Sequence, residues 1–159
     1  MRKAYWRRPG CCLAALLVLA GCQSDATLSS NAMGVAILNQ MRGNDPALRD
    51  PAVKLINSQE ELTALASEAL SKLTVDFHAQ SLLIVALGQK PTGGYWVRID
   101  AVQRQGADLY LQGVANAPGN DQMTTMMLTY PFAAAVIPKQ QDVQTLHPEV
   151  ESVQGRKAE

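Results

Sequence analysis

The chain is poor in the side chains that most often perform catalysis. It has two histidines, His78 and His147, in 159 residues. It contains no Gly-x-Ser-x-Gly, His-Glu-x-x-His or glycine-rich phosphate loop, the motifs that provide a nucleophile, a zinc site or a phosphate cradle. Because no nucleophile and base can be paired, we expect a protein that is not an enzyme and that has no cofactor.

Two groups of residues have side chains that can bind metals, but neither has the number or spacing of ligands that a metal site needs. Asp76 and His78 supply two ligands, and a four-coordinate site would need partners that we cannot identify. Met123, Met126 and Met127 offer thioethers, which select Cu(I). On a strand, Met126 and Met127 would point to opposite faces, so the three sulfurs could not converge on one ion. We therefore expect no metal site, and we interpret these methionines as core residues.

The three cysteines all lie in the first 22 residues: two are inside an export signal and the third, Cys22, follows it. A basic stretch with Arg2, Lys3, Arg7 and Arg8 precedes an apolar run, residues 11–20, which is too short to span a bilayer as a mature helix. The run ends in Leu19-Ala20-Gly21-Cys22, which resembles the lipobox of bacterial lipoproteins. The resemblance implies cleavage before Cys22, a diacylglycerol on its sulfur and acylation of the new N-terminus. The alternative is an ordinary secretory signal with a chance cysteine.

Lipidation at Cys22 would set the compartment and the charge of the mature chain. Gln23 would follow the lipidated cysteine, where lipoproteins kept in the inner membrane usually have Asp, so the analogy implies an outer-membrane anchor with the protein facing the periplasm. The mature 138 residues would keep ten basic and fourteen acidic side chains, a balance of −4. Such a balance argues against nucleic acid as a partner.

Composition and turn residues predict four segments. They are a signal peptide over residues 1–21, a lipidated N-terminus and tether over 22–50, a β-rich domain over 51–147 and a flexible charged tail over 148–159. Within the tether, Met33, Ile37 and Met41 recur at helical spacing, but Gly34 leaves helix against strand undecided.

The β-rich segment predicts one helix and six or seven strands. Residues 52–56 read as a strand, and Ser58 with Glu61 forms a capping box at the start of an amphipathic helix over residues 59–72. Residues 82–87 are apolar without alternation, which is typical of a strand covered on both faces. Alternation then places Tyr95, Val97, Ile99 and Ala101 on one face. Further strands are predicted over 108–111, 124–130, 133–137 and 143–146. We expect an α+β, mainly β domain, an antiparallel meander or small β-sandwich.

Residues 88–95, Gly88-Gln89-Lys90-Pro91-Thr92-Gly93-Gly94-Tyr95, predict a stiff loop between two central strands. Pro91 fixes its own φ, and the glycines permit a positive φ. Two interpretations stay open. The glycines serve the turn alone, or the loop offers its backbone and the Thr92 hydroxyl to a partner. Trp96 has the same ambiguity, because it either shares an exposed face with Arg98 and Asp100 or is covered by another layer.

The order of these features resembles the C-terminal domain of the PrcB family over about residues 50–140. The resemblance rests on the sequence Val75-Asp76-Phe77, the apolar strand, the Thr-Gly-Gly-Tyr loop, Leu128-Thr129-Tyr130-Pro131 and Ile137-Pro138-Lys139. It implies a non-catalytic envelope lipoprotein that binds or stabilises a partner protein, of which a protease is one candidate. The contact residues would be Pro91, Thr92, Gly93, Gly94, Tyr95, Trp96 and Arg98.

A second resemblance supplies the alternative function. Chagasin-type inhibitors of cysteine proteases have an Asn-Pro-Thr-Thr-Gly-Tyr loop that enters the enzyme's cleft. In this chain Pro91, Thr92, Gly94 and Tyr95 match that loop, while Lys90 and Gly93 depart from it. The other binding loops of those inhibitors have no recognisable counterpart.

Overall fold

The computed structural model describes residues 32–155 of the chain. The predicted signal peptide, the lipidation site Cys22 and the tether as far as residue 31 lie outside the described residues. Eight strands and two short helices follow in order: β1 Met33–Val35, β2 Asn39–Asn44, β3 Pro51–Ile56, α1 Gln59–Ala64, α2 Glu68–Ser71, β4 Gln80–Leu87, β5 Trp96–Gln105, β6 Asp108–Ala117, β7 Pro131–Pro138 and β8 Thr145–Gln154. A single 3₁₀ turn, Pro46–Leu48, precedes β3.

The strands form two sheets of four. The first sheet has the order β1-β5-β6-β8 and the second the order β2-β7-β4-β3. Neighbouring strands are antiparallel except for β6 and β8, which are parallel. The prediction of an α+β, mainly β domain is confirmed. The predicted count of six or seven strands is too low, because the segment ahead of the predicted domain forms the two additional strands β1 and β2.

Strand β4 is buried on both faces, as its unbroken apolar run predicts. Leu83 and Val85 pack with β5, β6 and β7 residues in a core between the two sheets. Leu82, Ile84 and Ala86 face the other way, into a second core that the helices close with Leu62 and Leu70. The chain thus builds three layers, and the second sheet is the middle one.

The helical segment is capped as predicted but is broken into two. Ser58 accepts a hydrogen bond from the Glu61 N–H (3.3 Å), and the Glu61 carboxylate accepts from the N–H of Asn57 (2.9 Å). The prediction of one helix over residues 59–72 is wrong, because α1 ends at Ala64 and Ala66 has a left-handed φ of 49°. Ser67 then caps α2 by accepting from the Leu70 N–H (3.1 Å). A serine with such local bonding favours a new cap over a helix interior.

The predicted tether contributes two strands to the domain. Residues 33–35 pair with β5, and residues 39–44 pair with β7, so the folded domain begins well before residue 51. The Gln40 Nε2 of β2 donates a hydrogen bond to the Ile99 carbonyl of β5 (2.8 Å), which joins the two sheets near β1. Short strands at the two sheet edges, rich in polar and exposed residues, lack the alternation that would reveal them in the sequence.

The predicted flexible tail is also wrong for most of its length. Residues 145–154 form β8, which pairs in parallel with the whole of β6. Leu146 and Val150 pack against the core between the sheets, while Glu149 and Glu151 are exposed. The charges therefore belong to the solvent face of an edge strand, a common protection of sheet edges. Among residues 32–155, no helix is long and apolar enough to cross a bilayer.

A buried carboxylate joins the turn before β3 to the second helix. Asp45 is 5% exposed and accepts from the Ser67 hydroxyl (2.6 Å) and from the N–H groups of Ala47 (2.9 Å) and Ala69 (3.1 Å). Burial would raise the pKa of Asp45, but these hydrogen bonds outweigh it, with help from the charge of Lys72, and the pKa lies below its ordinary value. The ionised form is therefore the one that the fold stabilises.

We expect Asp45→Asn to lower the free energy of unfolding at neutral pH by about 2 kcal/mol, because an amide NH₂ would face N–H donors. A group whose pKa is lower in the folded state stabilises the fold above its unfolded pKa, and that stabilisation is lost as pH falls through the folded pKa. Urea unfolding of the wild type should therefore weaken more than that of the variant as pH falls below about 4. Equal pH dependence of the two proteins would contradict this role.

Candidate partner-binding loops

Loop 88–95 crosses from one sheet to the other at one end of the domain. It leaves β4 in the second sheet and enters β5 in the first, and both strands are internal in their sheets, as predicted for central strands. Residues 118–130 cross back from β6 to β7 at the same end. We call the surface formed by residues 45–50, 88–95 and 118–130 the loop end.

Backbone hydrogen bonds join the two crossing loops. The Lys90 N–H donates to the Thr129 carbonyl (2.8 Å), and the Thr129 N–H donates back to the Lys90 carbonyl (3.0 Å). The Gly93 N–H donates to the Thr125 carbonyl (3.0 Å), and the Thr129 hydroxyl donates to the Thr92 carbonyl (2.8 Å). Much of the loop backbone that could have been offered to a partner is thus engaged within the chain.

The two glycines of the loop answer different steric demands. Gly94 has a φ of +85°, which residues with a Cβ adopt only with strain. Gly93 has no such φ, but a Cβ there would lie 2.5 Å from the Thr125 Oγ1. Turn geometry and close packing of the two loops therefore account for both glycines without a partner.

The other predicted contact residues divide between the tip and the flank of the loop. Pro91 is exposed and Thr92 half-buried at the tip. Tyr95 is half-buried, with the Lys90 Nζ 5.7 Å from its ring centroid, within the range of a cation–π contact. Arg98 lies farther along β5 and forms an ion pair with Asp100 on the surface of the sheet. The structure therefore gathers Pro91 to Trp96 in one region and leaves Arg98 at its margin.

Trp96 is half-buried, so it is neither on a fully exposed face of the sheet nor fully covered by another layer. It lines a cleft of about 340 Å³ together with Tyr95 and with Arg42, Gly43 and Asn44 of the edge strand β2. Strand β2 was not part of the predicted domain, so this cleft could not be predicted from the sequence. Farther along, a register irregularity after Ile99 shifts the alternation, so Val102 is buried and Ala101 only half-buried.

The predicted strand over residues 124–130 is wrong, and so is the placing of its methionines in the core. Only Thr129 makes a β-bridge, with Lys90, and Met123, Met126 and Met127 are exposed. The segment has to pass between the sheets before the buried run of β7 begins at Pro131, so it has no neighbouring strand along most of its length. Its lack of Val and Ile was a signal against a strand.

The two histidines of the chain lie away from the loop end. His147 stacks on Tyr110, with ring centroids 4.6 Å apart, and its Nε2 lies 3.5 Å from Asp108 Oδ1. His78 is exposed in the turn before β4. Both histidines are thus at the end of the domain opposite to the loop end. Within residues 32–155, no group of three or more His, Cys, Asp or Glu side chains is placed to hold a metal ion.

The fold and its bonded loops define a small mainly β domain that presents two crossing connections at one end. Residues 81–138 match the family model described as PrcB C-terminal. This stretch, which runs from β4 to β7 and includes both crossing loops, is therefore similar to the PrcB C-terminal domain, as its motifs predicted. No curated protein and no solved structure matches the chain. The similarity to chagasin-type inhibitors stays a prediction.

We expect Gly93→Ala to lower the free energy of unfolding by about 1 to 3 kcal/mol, because its Cβ would collide with the Thr125 hydroxyl. Thr125→Ala in the same chain should recover most of the loss, because it removes the colliding atom and keeps the backbone bond to Gly93. Urea unfolding measures both effects. Gly34→Ala is the control, since nothing lies within 4 Å of its new Cβ. No recovery in the double variant would show that the loops do not pack as described.

Proposed function

We propose that this protein is a non-catalytic envelope lipoprotein that binds a partner protein through its loop end. Lipid on Cys22 would anchor it to the outer membrane, facing the periplasm, and the partner would be another envelope protein, with a protease as one candidate. The PrcB C-terminal match over residues 81–138 supports the family role, and the leader with its lipobox supports the anchor.

The single observation behind the binding role is the placement of the loops relative to the start of the domain. Met33 pairs with Arg104 near the far end of β5, whereas the loop end adjoins Trp96 at the start of that strand. The loop end is thus at the opposite end of β5 from the strand by which the described chain enters the domain. Loops that a rigid β scaffold presents in this way are common binding elements.

The contact region that we propose consists of the loop tip and its flank. Pro91 and Thr92 lie at the tip, and Tyr95 and Trp96 line the adjoining cleft. Tyrosine and tryptophan, as at positions 95 and 96, are enriched among the residues that supply most of the energy in protein–protein interfaces. The glycines would act indirectly, by allowing the two loops to pack.

The anchor is tested by lipid labelling. Cells grown with radioactive palmitate should label the wild-type chain, and Cys22→Ser should remove the label and leave the 21-residue leader uncleaved, because the thiol that defines the lipobox is gone. Cys12→Ser is the matched control and should change neither result. Label that persists in Cys22→Ser would contradict the proposed anchor.

The binding role of loop 88–95 is tested by a conservative change at its exposed end. Thr92→Val keeps the branched shape and the carbonyl that accepts from Thr129, but removes the hydroxyl. We expect it to weaken binding of the purified partner about fivefold to tenfold with no change in thermal stability, because an interface hydrogen bond is worth about 1 kcal/mol. Isothermal titration measures the affinity.

The control for that titration is Glu149→Gln, an exposed change on β8 outside the loop end. It should bind as the wild type does. If Thr92→Val also binds as the wild type does, the hydroxyl is not a contact. If the wild type has no partner in solubilised envelopes, the proposed binding role is wrong.

A further inference from the structure

Four large apolar side chains project from one short segment of the loop end. Met123, Met126, Met127 and Leu128 are 103%, 91%, 62% and 52% exposed. We call these four residues the apolar tip. Met33 and Leu38 are the other large apolar side chains that are exposed among residues 32–155, and both precede β2. An apolar group of this kind on a folded domain marks an interaction site.

The backbone that bears the apolar tip is fixed at several points. Thr125 accepts from Gly93, and Thr129 is bonded in both directions to Lys90. At the other side, the Gln122 N–H donates to the Gly119 carbonyl (3.0 Å). The methionines therefore project from an anchored loop, which lowers the entropy that binding would cost. Their unbranched side chains adapt to irregular apolar surfaces.

The position of the tip argues against insertion into the membrane that would hold the anchor. Eight residues of strand separate Arg104, the partner of Met33, from Trp96, and they span about 26 Å at about 3.3 Å per residue. The eleven residues from Cys22 to Met33 span at most about 38 Å. The apolar tip could therefore reach that membrane only if most of this length were used to cover the distance along β5.

Charge gives a second argument in the same direction. Residues 118–130 contain one charged side chain, Asp121, and no lysine or arginine. Segments that bind anionic lipid surfaces combine apolar residues with basic ones, and they often include Trp or Phe. The apolar tip has neither, and Lys90, whose backbone is bonded to Thr129, directs its Nζ to the Tyr95 ring (5.7 Å to the centroid). The four side chains of the apolar tip therefore fit an uncharged apolar cleft on another protein.

We propose that the apolar tip inserts into an apolar cleft of the partner protein and supplies much of the binding energy. This inference rests on the proposed function, and it adds a contact surface that the Thr-Gly-Gly-Tyr loop alone does not provide. The loop 88–95 then acts partly as the support that positions the tip, through its bonds to Thr125 and Thr129.

The test first identifies the partner and then measures it. A photo-crosslinking amino acid is placed at position 126, and separately at position 33, in the full chain expressed in its own envelope. The protein joined at position 126 and not at position 33 is purified and titrated with the wild type and with a chain carrying Met123→Gln, Met126→Gln and Met127→Gln. We expect the triple variant to bind at least about tenfold more weakly, with an unchanged melting temperature because its side chains are already exposed.

Met33→Gln is the matched control, because it makes the same change at an exposed methionine away from the loop end, and it should bind as the wild type does. Equal affinity of the wild type and the triple variant would overturn this inference and leave the proposed function standing. A wild type with no protein partner would overturn both.

Two other occupants are decided by the same variants. The mature chain, residues 22–159 with Cys22→Ser, has neither leader nor lipid; it is mixed with vesicles of phosphatidylethanolamine and phosphatidylglycerol at a ratio of about 3:1 and centrifuged by flotation. Flotation that depends on the three methionines would overturn the protein cleft in favour of a membrane. A crosslink at position 126 that joins only two copies of this chain would overturn it in favour of self-association.

Discussion

The hydrogen bonds between Lys90 and Thr129 join loop 88–95 to residues 118–130. Both connections pass between the two sheets at the loop end, and both lie inside the family match. One connection leaves the second sheet for the first, and the other returns, so neither can continue a strand ladder. Their backbone groups still need partners, and at this crossing each loop supplies them for the other. The close approach explains why Gly93 has no room for a side chain and why the methionines of the second loop face outward.

This crossing depends in turn on the burial of the middle sheet. Strands β4 and β7 have a core on each face, one against the first sheet and one against the helices. The helices are short, and Ser67 and Asp45 fix the second of them to the turn that precedes β3. Asp45 also donates its N–H to the Tyr130 carbonyl (3.1 Å), directly beside Thr129. The helical layer and the loop end are therefore joined through one buried carboxylate residue.

Local patterns in the sequence predicted the elements that are determined by nearby residues or by burial on both faces. The apolar run of β4 indicated two-sided burial, the Ser58–Glu61 pair indicated a helix start, and the glycines of loop 88–95 indicated a tight connection. Each of these depends on neighbours within a few residues or on burial from all sides. The motif order likewise predicted the similarity to the PrcB C-terminal domain that the family model shows over residues 81–138.

The errors fall where distant partners decide the structure. Strands β1, β2 and β8 are edge strands that exist because β5, β7 and β6 offer them hydrogen bonds, and their own polar and charged residues suggest a tether and a tail. The methionines of the apolar tip are equally suited to a core and to an adaptable surface, and only the need to cross between sheets places them outside. The cleft at Trp96 requires β2, so it was out of reach for the same reason.

The most direct test of this account is amide hydrogen exchange, resolved residue by residue by NMR, on the folded domain without any partner. If the two crossing loops form one bonded unit, the amides of Lys90, Gly93 and Thr129 will exchange nearly as slowly as those of β4, while Met126 and Met127, whose amides lie between the fixed points, will exchange quickly. Exchange at Lys90, Gly93 and Thr129 as fast as at Met126 would show that the loops move independently, and the platform for the apolar tip would not exist.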